Sequence, residues 1–330
     1  MINRERNPDF INVFLDYSTT ILNKSPNSIK EYNYDLNMFF KFIKIHFHMT
    51  NKKDFDEIEI NDLTMATVKK IKLDDIHAFL GYLTSEYNSK PATRARKIST
   101  IRIFFHYLCS EASSTFKLDQ DPALNLKTPK KEKRLPRYLT LEDSKRLLEA
   151  SSDDNNRNCK RDFAITTLFL NCGMRLSELV NINIQDISFD ECKMNVIGKG
   201  NKERTIYLNK ACMKSIDEYL NVRPKEGVRH DSKHSEKALF LSERKERISN
   251  RTVQAIVNKE LAKAGLDTTK YSVHKLRHTA ATLMYQYGNV DIRALQEVLG
   301  HESISTTEIY THVNNDQVRS ALENNPLADL

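Results

Sequence analysis

Apolar residues recur at helical spacing through the first part of the chain. Phe10, Val13, Phe14, Tyr17 and Ile21 lie on one face of a predicted helix. Ser25-Pro26 interrupts the pattern. It resumes with Ile29, Tyr32, Leu36, Phe39, Phe40 and Ile43, a second helix. Residues 49–70 are polar and mixed, and predict no regular element. Asp74 or Asp75 is placed to cap a third helix carrying Ile76, Phe79, Leu80 and Leu83. Pro91 suits the first turn of a fourth helix running to about Cys109, with Ile98, Ile101, Phe105 and Leu108 as its apolar stripe.

Farther along, Thr140 is an N-cap candidate ahead of Leu141-Glu142-Asp143. Residues 161–171 are apolar on most sides and should form a core helix. Gly173 punctuates, and Arg175 and Glu178 then stand three apart, on one face of a helix. The period next drops to two. Ile187, Met194 to Val196 and Thr205 to Tyr207 predict short strands, joined by a hairpin turn at Gly198-Lys199-Gly200-Asn201-Lys202. Residues 209–222 return to helix, 223–237 are charged and loop-like, 238–241 predict a short strand, and 250–264 a helix ending at Gly265. No internal repeat appears. The fold class expected is mainly α, helical at the N-terminal end, with a mostly helical C-terminal part holding a small antiparallel sheet.

A chain of 330 residues favours two domains. The segment Lys127–Arg137, KTPKKEKRLPR, has two prolines, six cations, a single acid and no apolar face. It predicts a linker between domains at 1–126 and 138–330. A hydrophobic content of 39%, with 8% aromatic, is enough for true cores and argues against global disorder. Against 51 Lys and Arg stand 44 Asp and Glu, a net charge of +7 that leans toward a polyanionic partner. Placement matters more than the total. Arg94, Arg96, Lys97 and Arg102 share the fourth helix, Lys130 and Lys131 lie in the linker, and Lys202 in the hairpin. Such residues either form solvated faces or lie along DNA phosphates. The five cysteines are odd in number and form no C-x-x-C, so neither a disulfide framework nor a zinc knuckle is expected. Reduced thiols, a polar MINRERNPDF start and the lack of a bilayer-length apolar run predict a cytoplasmic protein without a membrane partner.

The densest chemistry lies in Tyr271–His312. It holds His274, Arg277 and His278 in H-K-L-R-H, then Leu299-Gly300-His301, then Tyr310. Arginines can fork onto phosphate oxygens, a lysine can protonate a leaving oxygen, and histidine can accept a proton from a nucleophile. Tyrosine, with an ordinary pKa of ~10, becomes a plausible nucleophile only among cations. Each element has a plainer reading as well: Arg175–Glu178 as a surface ion pair, Lys199 as an exposed turn lysine, Tyr310 as a half-buried aromatic. His274 and His278 have zinc-ligand spacing, but Lys275 and Arg277 between them oppose a metal and H-E-x-x-H is absent. Carboxylates to hold two metal ions are few in this set, so neither metal nor cofactor is expected.

The order of the whole set adds more. R-L-S-E-L, G-K-G in a hairpin, H-K-L-R-H and L-G-H, with Tyr310 nine residues after His301, resemble the tyrosine recombinase (lambda-integrase-like) family. The likeness extends over nearly the whole chain and is greatest to Xer-type members, through Y-T-H-V and the tail 314–330. The resemblance implies a helical core-binding (SAM-like) domain followed by a catalytic domain. It implies that Arg175 and Arg277 bind the scissile phosphate, Lys199 is the general acid (with Lys202 as the alternative), His274 assists as general base or hydrogen-bond partner and His301 bonds the phosphate. Glu178 would steady the arginines, His278 would support the site, and Tyr310 would attack to give a 3′-phosphotyrosyl link. It further implies a tetramer on DNA, alone or with a paralogous recombinase, exchanging strands through a Holliday junction in chromosome dimer resolution. Val318, Ala321 and Leu322 would then touch a neighbouring subunit, unless the tail folds back on its own domain. The alternatives are the integrase or transposase of a mobile element, a type IB topoisomerase, and an inactive DNA-binding module.

Overall fold

The computed structural model describes residues 4–307, apart from 53, 114, 130–136, 153–157, 199–201, 232–233, 289, 301–302 and 304–306. The chain divides into two compact units, Met1–Lys133 and Arg134–Leu330. The fold class is the one expected, mainly helical with a small antiparallel sheet.

The first unit contains α1 (Asp9–Thr20), α2 (Pro26–His46), α3 (Met65–Val68), α4 (Leu73–Ser85) and α5 (Pro91–Cys109). Its core is rich in phenylalanine: Phe10, Phe14, Phe39, Phe40, Phe79, Phe104 and Phe105 are all essentially inaccessible. Their rings meet edge to face, as Phe14 with Phe104 at 5.4 Å and Phe39 with Phe79 at 5.2 Å. That geometry lets the positive ring edge meet the negative ring face. The buried face of α1 is rotated from the expected one. Ile11 and Leu15 point inward, while Val13 and Ile21 are exposed. Ser25-Pro26 does more than interrupt: the Ser25 hydroxyl accepts the Ser28 N–H and Pro26 opens α2. For α4 the cap differs from the expectation. The helix starts one residue after Lys72, and Asp75 turns back to accept the Lys72 N–H at 2.7 Å. The mixed segment 49–70 also supplies core, through Ile58, Ile60, Leu63 and Val68.

The second unit contains α6 (Leu141–Ser152), α7 (Cys159–Cys172), α8 (Leu176–Asn181), β1 (Ile187–Ser188), β2 (Lys193–Ile197) and β3 (Glu203–Tyr207). It continues with α9 (Lys210–Val222), α10 (Asn250–Lys263), α11 (Val273–Tyr287) and α12 (Ile292–Leu299). Thr140 accepts the Asp143 N–H and so caps α6 as expected. Helix α7 is central and packs against α6, α9 and α11. It ends at Gly173, whose φ of +57° favours glycine and where a Cβ would come within 3.0 Å of Leu299. The three strands form one antiparallel sheet in chain order, with Met194 opposite Ile206 and Val196 opposite Arg204. Gly198 donates to the Lys202 carbonyl at 2.7 Å at the base of the β2–β3 turn. The strand expected at 238–241 is reduced to isolated bridges, Asn183 with Ala238 and Leu241 with Arg247. The side chain of Arg223 explains part of this, for it donates to the carbonyls of Ala238 and Leu239 that a neighbouring strand would have used. No described helix is long and apolar enough to cross a membrane.

Candidate active site

Arg175 does not lie on a helix face, as its spacing to Glu178 predicts. It is the extended residue just ahead of α8, with φ −79° and ψ 150°. Glu178, in the first turn, reaches back to the Arg175 N–H at 2.7 Å and to its Nη1 at 2.8 Å. This fits a carboxylate at a helix N-terminus, where unpaired amides and the helix dipole favour negative charge. The Glu178 side chain has no exposed surface. A buried carboxylate needs full pairing, and β3 provides it: Arg204 Nη2 lies 2.9 Å from Oε2 and Nε 3.3 Å from Oε1. Burial alone would raise the Glu178 carboxyl. The bonds and charge of Arg204, with the bonds from Arg175, outweigh it and hold the group below the ordinary carboxylate range.

The arginines also converge on the end of α12. Arg204 donates to the Val298 carbonyl, Arg277 to that of Leu299 at 2.6 Å, and Arg175 to that of Gly300 at 2.7 Å. Three consecutive carbonyls at a helix C-terminus, where the dipole is negative, thus each receive a different guanidinium. Arg277, buried on α11, also donates to the Gly173 carbonyl at the end of α7. Gly300 has φ +61°, and a Cβ there would lie 2.7 Å from Arg204 Cδ. Only a glycine lets the chain pass so close to this side chain.

His274 and His278 lie one turn apart on α11, with their Nε2 atoms 3.1 Å apart, so that one ring donates and the other accepts. His274 keeps an exposed edge, yet its pKa lies below the ordinary histidine value. Loss of solvation around the ring is the main cause, and the charges of Lys275 and Arg277 add to it. Arg175, His274 and Arg277 line a single cavity of about 700 Å³ with Ser177, Asn250, Gln254 and Asn258. Among the described residues, no group of three or more His, Cys, Asp or Glu is arranged to hold a metal ion.

The sequence singles out Arg175, Glu178, His274, Arg277 and His278, and the fold gathers them at this end of the second unit. Lys199, His301 and Tyr310 lie outside the described residues, as do Lys130 and Lys131. Lys202 is exposed at the base of the hairpin. The basic face expected on α5 is divided. Lys97 is 3% exposed and ion-paired to Asp35 at 2.8 Å, so it is an interior residue and unable to meet a phosphate. The reason is the neighbouring helix, whose buried Asp35 requires a cation. Arg96 serves the same carboxylate and Glu31, Arg94 bonds the Ser89 carbonyl, and Arg102 bonds the Thr128 hydroxyl at 3.0 Å. Arg204 is the residue that sequence reasoning missed. A signal was present, for Arg204, Ile206 and Leu208 alternate on one side and the last two are buried. An arginine in register with inward-facing residues invites the search for a buried acid. The amides Asn250, Gln254 and Asn258, four apart on α10, were missed as well.

Two family models match the chain: "Phage integrase family" over residues 137–317 and "Phage integrase, N-terminal SAM-like domain" over 11–112. Tyrosine recombinase XerC of Caldanaerobacter subterraneus subsp. tengcongensis is 51% identical over 322 residues, spanning 97% of this chain and 88% of that protein. The XerC of Thermodesulfovibrio yellowstonii is 34% identical over 304 residues, spanning 92% and 91%. Among solved structures, XerH recombinase bound to a palindromic difH substrate in a post-cleavage complex matches with a TM-score of 0.70 at 22% identity. The match covers 92% of this chain and 81% of that one, and is a likeness of fold. The chain belongs to the phage integrase family, as an Xer-type tyrosine recombinase.

Proposed function

We propose that this protein cuts and rejoins duplex DNA at specific sites through a covalent phosphotyrosyl link, in the Xer-type role of chromosome dimer resolution. The observation that carries the reading is the cavity where Arg175 and Arg277, distant in sequence, meet His274 over a fully buried Glu178. Two guanidiniums can offset the charge that builds on nonbridging oxygens as a phosphate becomes pentavalent. Their donors are fixed by Glu178 and by the α12 carbonyls, so little reorganisation is needed as that charge develops. His274, favoured in its neutral form, accepts the proton of Tyr310 as the phenolic oxygen attacks phosphorus. Lys199 protonates the 5′-oxygen as its bond to phosphorus breaks, and His301 bonds the phosphate. The products are a 3′-phosphotyrosyl link and a free 5′-hydroxyl, and the energy of the broken ester is kept in the new one. Attack by the 5′-hydroxyl of another strand reverses the chemistry and exchanges strands. Arg94, Arg96, Arg102, Lys130, Lys131 and Lys202 would contact the DNA backbone, and His278 would support the His274 ring. Exchange of two duplexes requires four copies, either of this chain or of it with a paralogue, acting in the cytoplasm.

The test uses a duplex that the full-length protein selects from random sequence, then nicked beside the cut position so that rejoining fails. A protein–DNA adduct is expected, in EDTA as well. Tyr310→Phe should abolish it while duplex binding persists. An adduct that survives in Tyr310→Phe overturns the assignment.

A further inference from the structure

Arg204 has no part in the expected constellation, yet its side chain joins the buried Glu178 to the end of α12. Three contacts leave its side chain. Two go to the Glu178 carboxylate, and one goes to the Val298 carbonyl in the last turn of α12. Its Cδ and Nε also fill the space beside Gly300, at 2.7 and 3.1 Å from where a Cβ would stand. Across the sheet it is paired with Val196, on the hairpin that carries Lys199. Stabilising a buried acid would require the carboxylate contacts only. The bond to Val298 and the packing beside Gly300 tie that acid to the segment that leads into His301.

We propose that Arg204 is a positioning residue for DNA cleavage, clamping the Glu178 carboxylate to the last turn of α12 so that Arg175 and the chain entering His301 stay in register. The inference rests on the recombinase reading above. Its chemistry is that of a fork. A guanidinium can bond both carboxylate oxygens and a carbonyl at once, whereas a lysine ammonium acts as a single compact charge. If Arg204 is lost, Arg175 keeps its own bonds to Glu178 and Gly300, but the carboxylate gains freedom to turn and α12 loses one of its three anchors. A displacement of about 1 Å in a phosphate-binding group is enough to slow a reaction ~100-fold.

The experiment compares wild type, R204Q, R204K, E178Q and R204Q/E178Q on the self-selected nicked duplex, measuring Kd and the single-turnover rate of adduct formation separately. For R204Q we expect an unchanged Kd and a cleavage rate lowered about 100-fold, with partial recovery in R204K. The double variant should be no slower than the slower single, since both act on one link. Cleavage by R204Q at the wild-type rate overturns the proposal. So does a loss that lies wholly in Kd, or single effects that multiply in the double variant. Should R204Q not fold, R204K is read by the same split: a slower rate at constant Kd supports the clamp, and a wild-type rate rejects it. Failure of the wild type itself to form an adduct would strike the recombinase reading, and the clamp with it, and is distinct from a wild type that cleaves beside an equally active R204Q.

Discussion

Asp35 and Glu178 are both carboxylates without exposed surface, and each is held by two cations. In the first unit Asp35 takes Arg96 at 2.6 Å, Lys97 at 2.8 Å and the Thr100 hydroxyl at 2.9 Å. Glu31 takes the outer side of Arg96, so two cations meet two acids, and Lys97 is further covered by the Tyr34 ring at 4.7 Å. In the second unit Arg175 and Arg204 share Glu178, and their other bonds among the described residues go to uncharged carbonyls at the end of α12. Arg175 keeps 29% of its side chain exposed and lines the cavity. One cluster balances its charge, with Arg96 and Glu31 reaching the surface, while the other, among the described residues, holds surplus positive charge and opens onto a space of about 700 Å³. A buried carboxylate paired to arginine therefore does not by itself mark a site. What distinguishes the second is the excess of cation over acid and an open side on which an anion can settle.

The sharpest way to separate the two clusters is to remove the first acid. Asp35→Ala leaves Lys97 buried without its carboxylate and should cost about 3–5 kcal/mol of unfolding free energy, read from urea midpoints. Cleavage by the protein that remains folded should be unaffected. A folded Asp35→Ala that binds DNA but fails to cleave would break the distinction. A smaller effect is expected from the α5 cations. Lys97→Met should lower stability yet leave the salt dependence of duplex binding unchanged, whereas Arg102→Gln should reduce the slope by about one unit if it meets a phosphate. A flattened slope in Lys97→Met would return Lys97 to the DNA face.

The smallest effect concerns pH. The His274 pKa is depressed, by lost solvation first and then by Lys275 and Arg277. Its neutral form therefore persists below the ordinary histidine value of ~6.5, and the acid limb of cleavage should lie below that value. Lys275→Gln removes one of the depressing charges, so the pKa rises and the limb moves to higher pH. A limb that stays in place would deny His274 the role of proton acceptor. The stability linkage has the same sign. Below pH ~6.5 an unfolded chain binds the proton more readily than the folded one, so this contribution is lost as pH falls.

Elements governed by contacts a few residues apart were legible from the sequence. The Thr140 cap, the helix starting at Pro91, the two-residue period of the strands and the β2–β3 hairpin all appear where the pattern places them. The order of R-L-S-E-L, G-K-G, H-K-L-R-H and L-G-H pointed to the family that the chain belongs to. Less legible were details set by geometry at an element's edge. Arg175 and Glu178 have the spacing of a helix face, yet the helix begins between them and the acid folds back as a cap. In α1 the inward face is chosen by what the phenylalanine core receives, and Ile11 and Leu15 displace Val13 and Ile21.

By itself, then, the sequence determined helices, strands, turn and motif order, because each rests on interactions within a turn or across a hairpin. Only the tertiary structure decided which cations are interior. Lys97 and Arg102 look alike in a basic helix, but Asp35, 62 residues before Lys97, draws one inside. Arg204 is likewise an ordinary strand arginine until Glu178, 26 residues earlier, and the end of α12, 94 residues later to Val298, are brought to it. A charge leaves water only where a distant partner compensates its lost hydration, and that partner is fixed by the fold, beyond the reach of any local pattern.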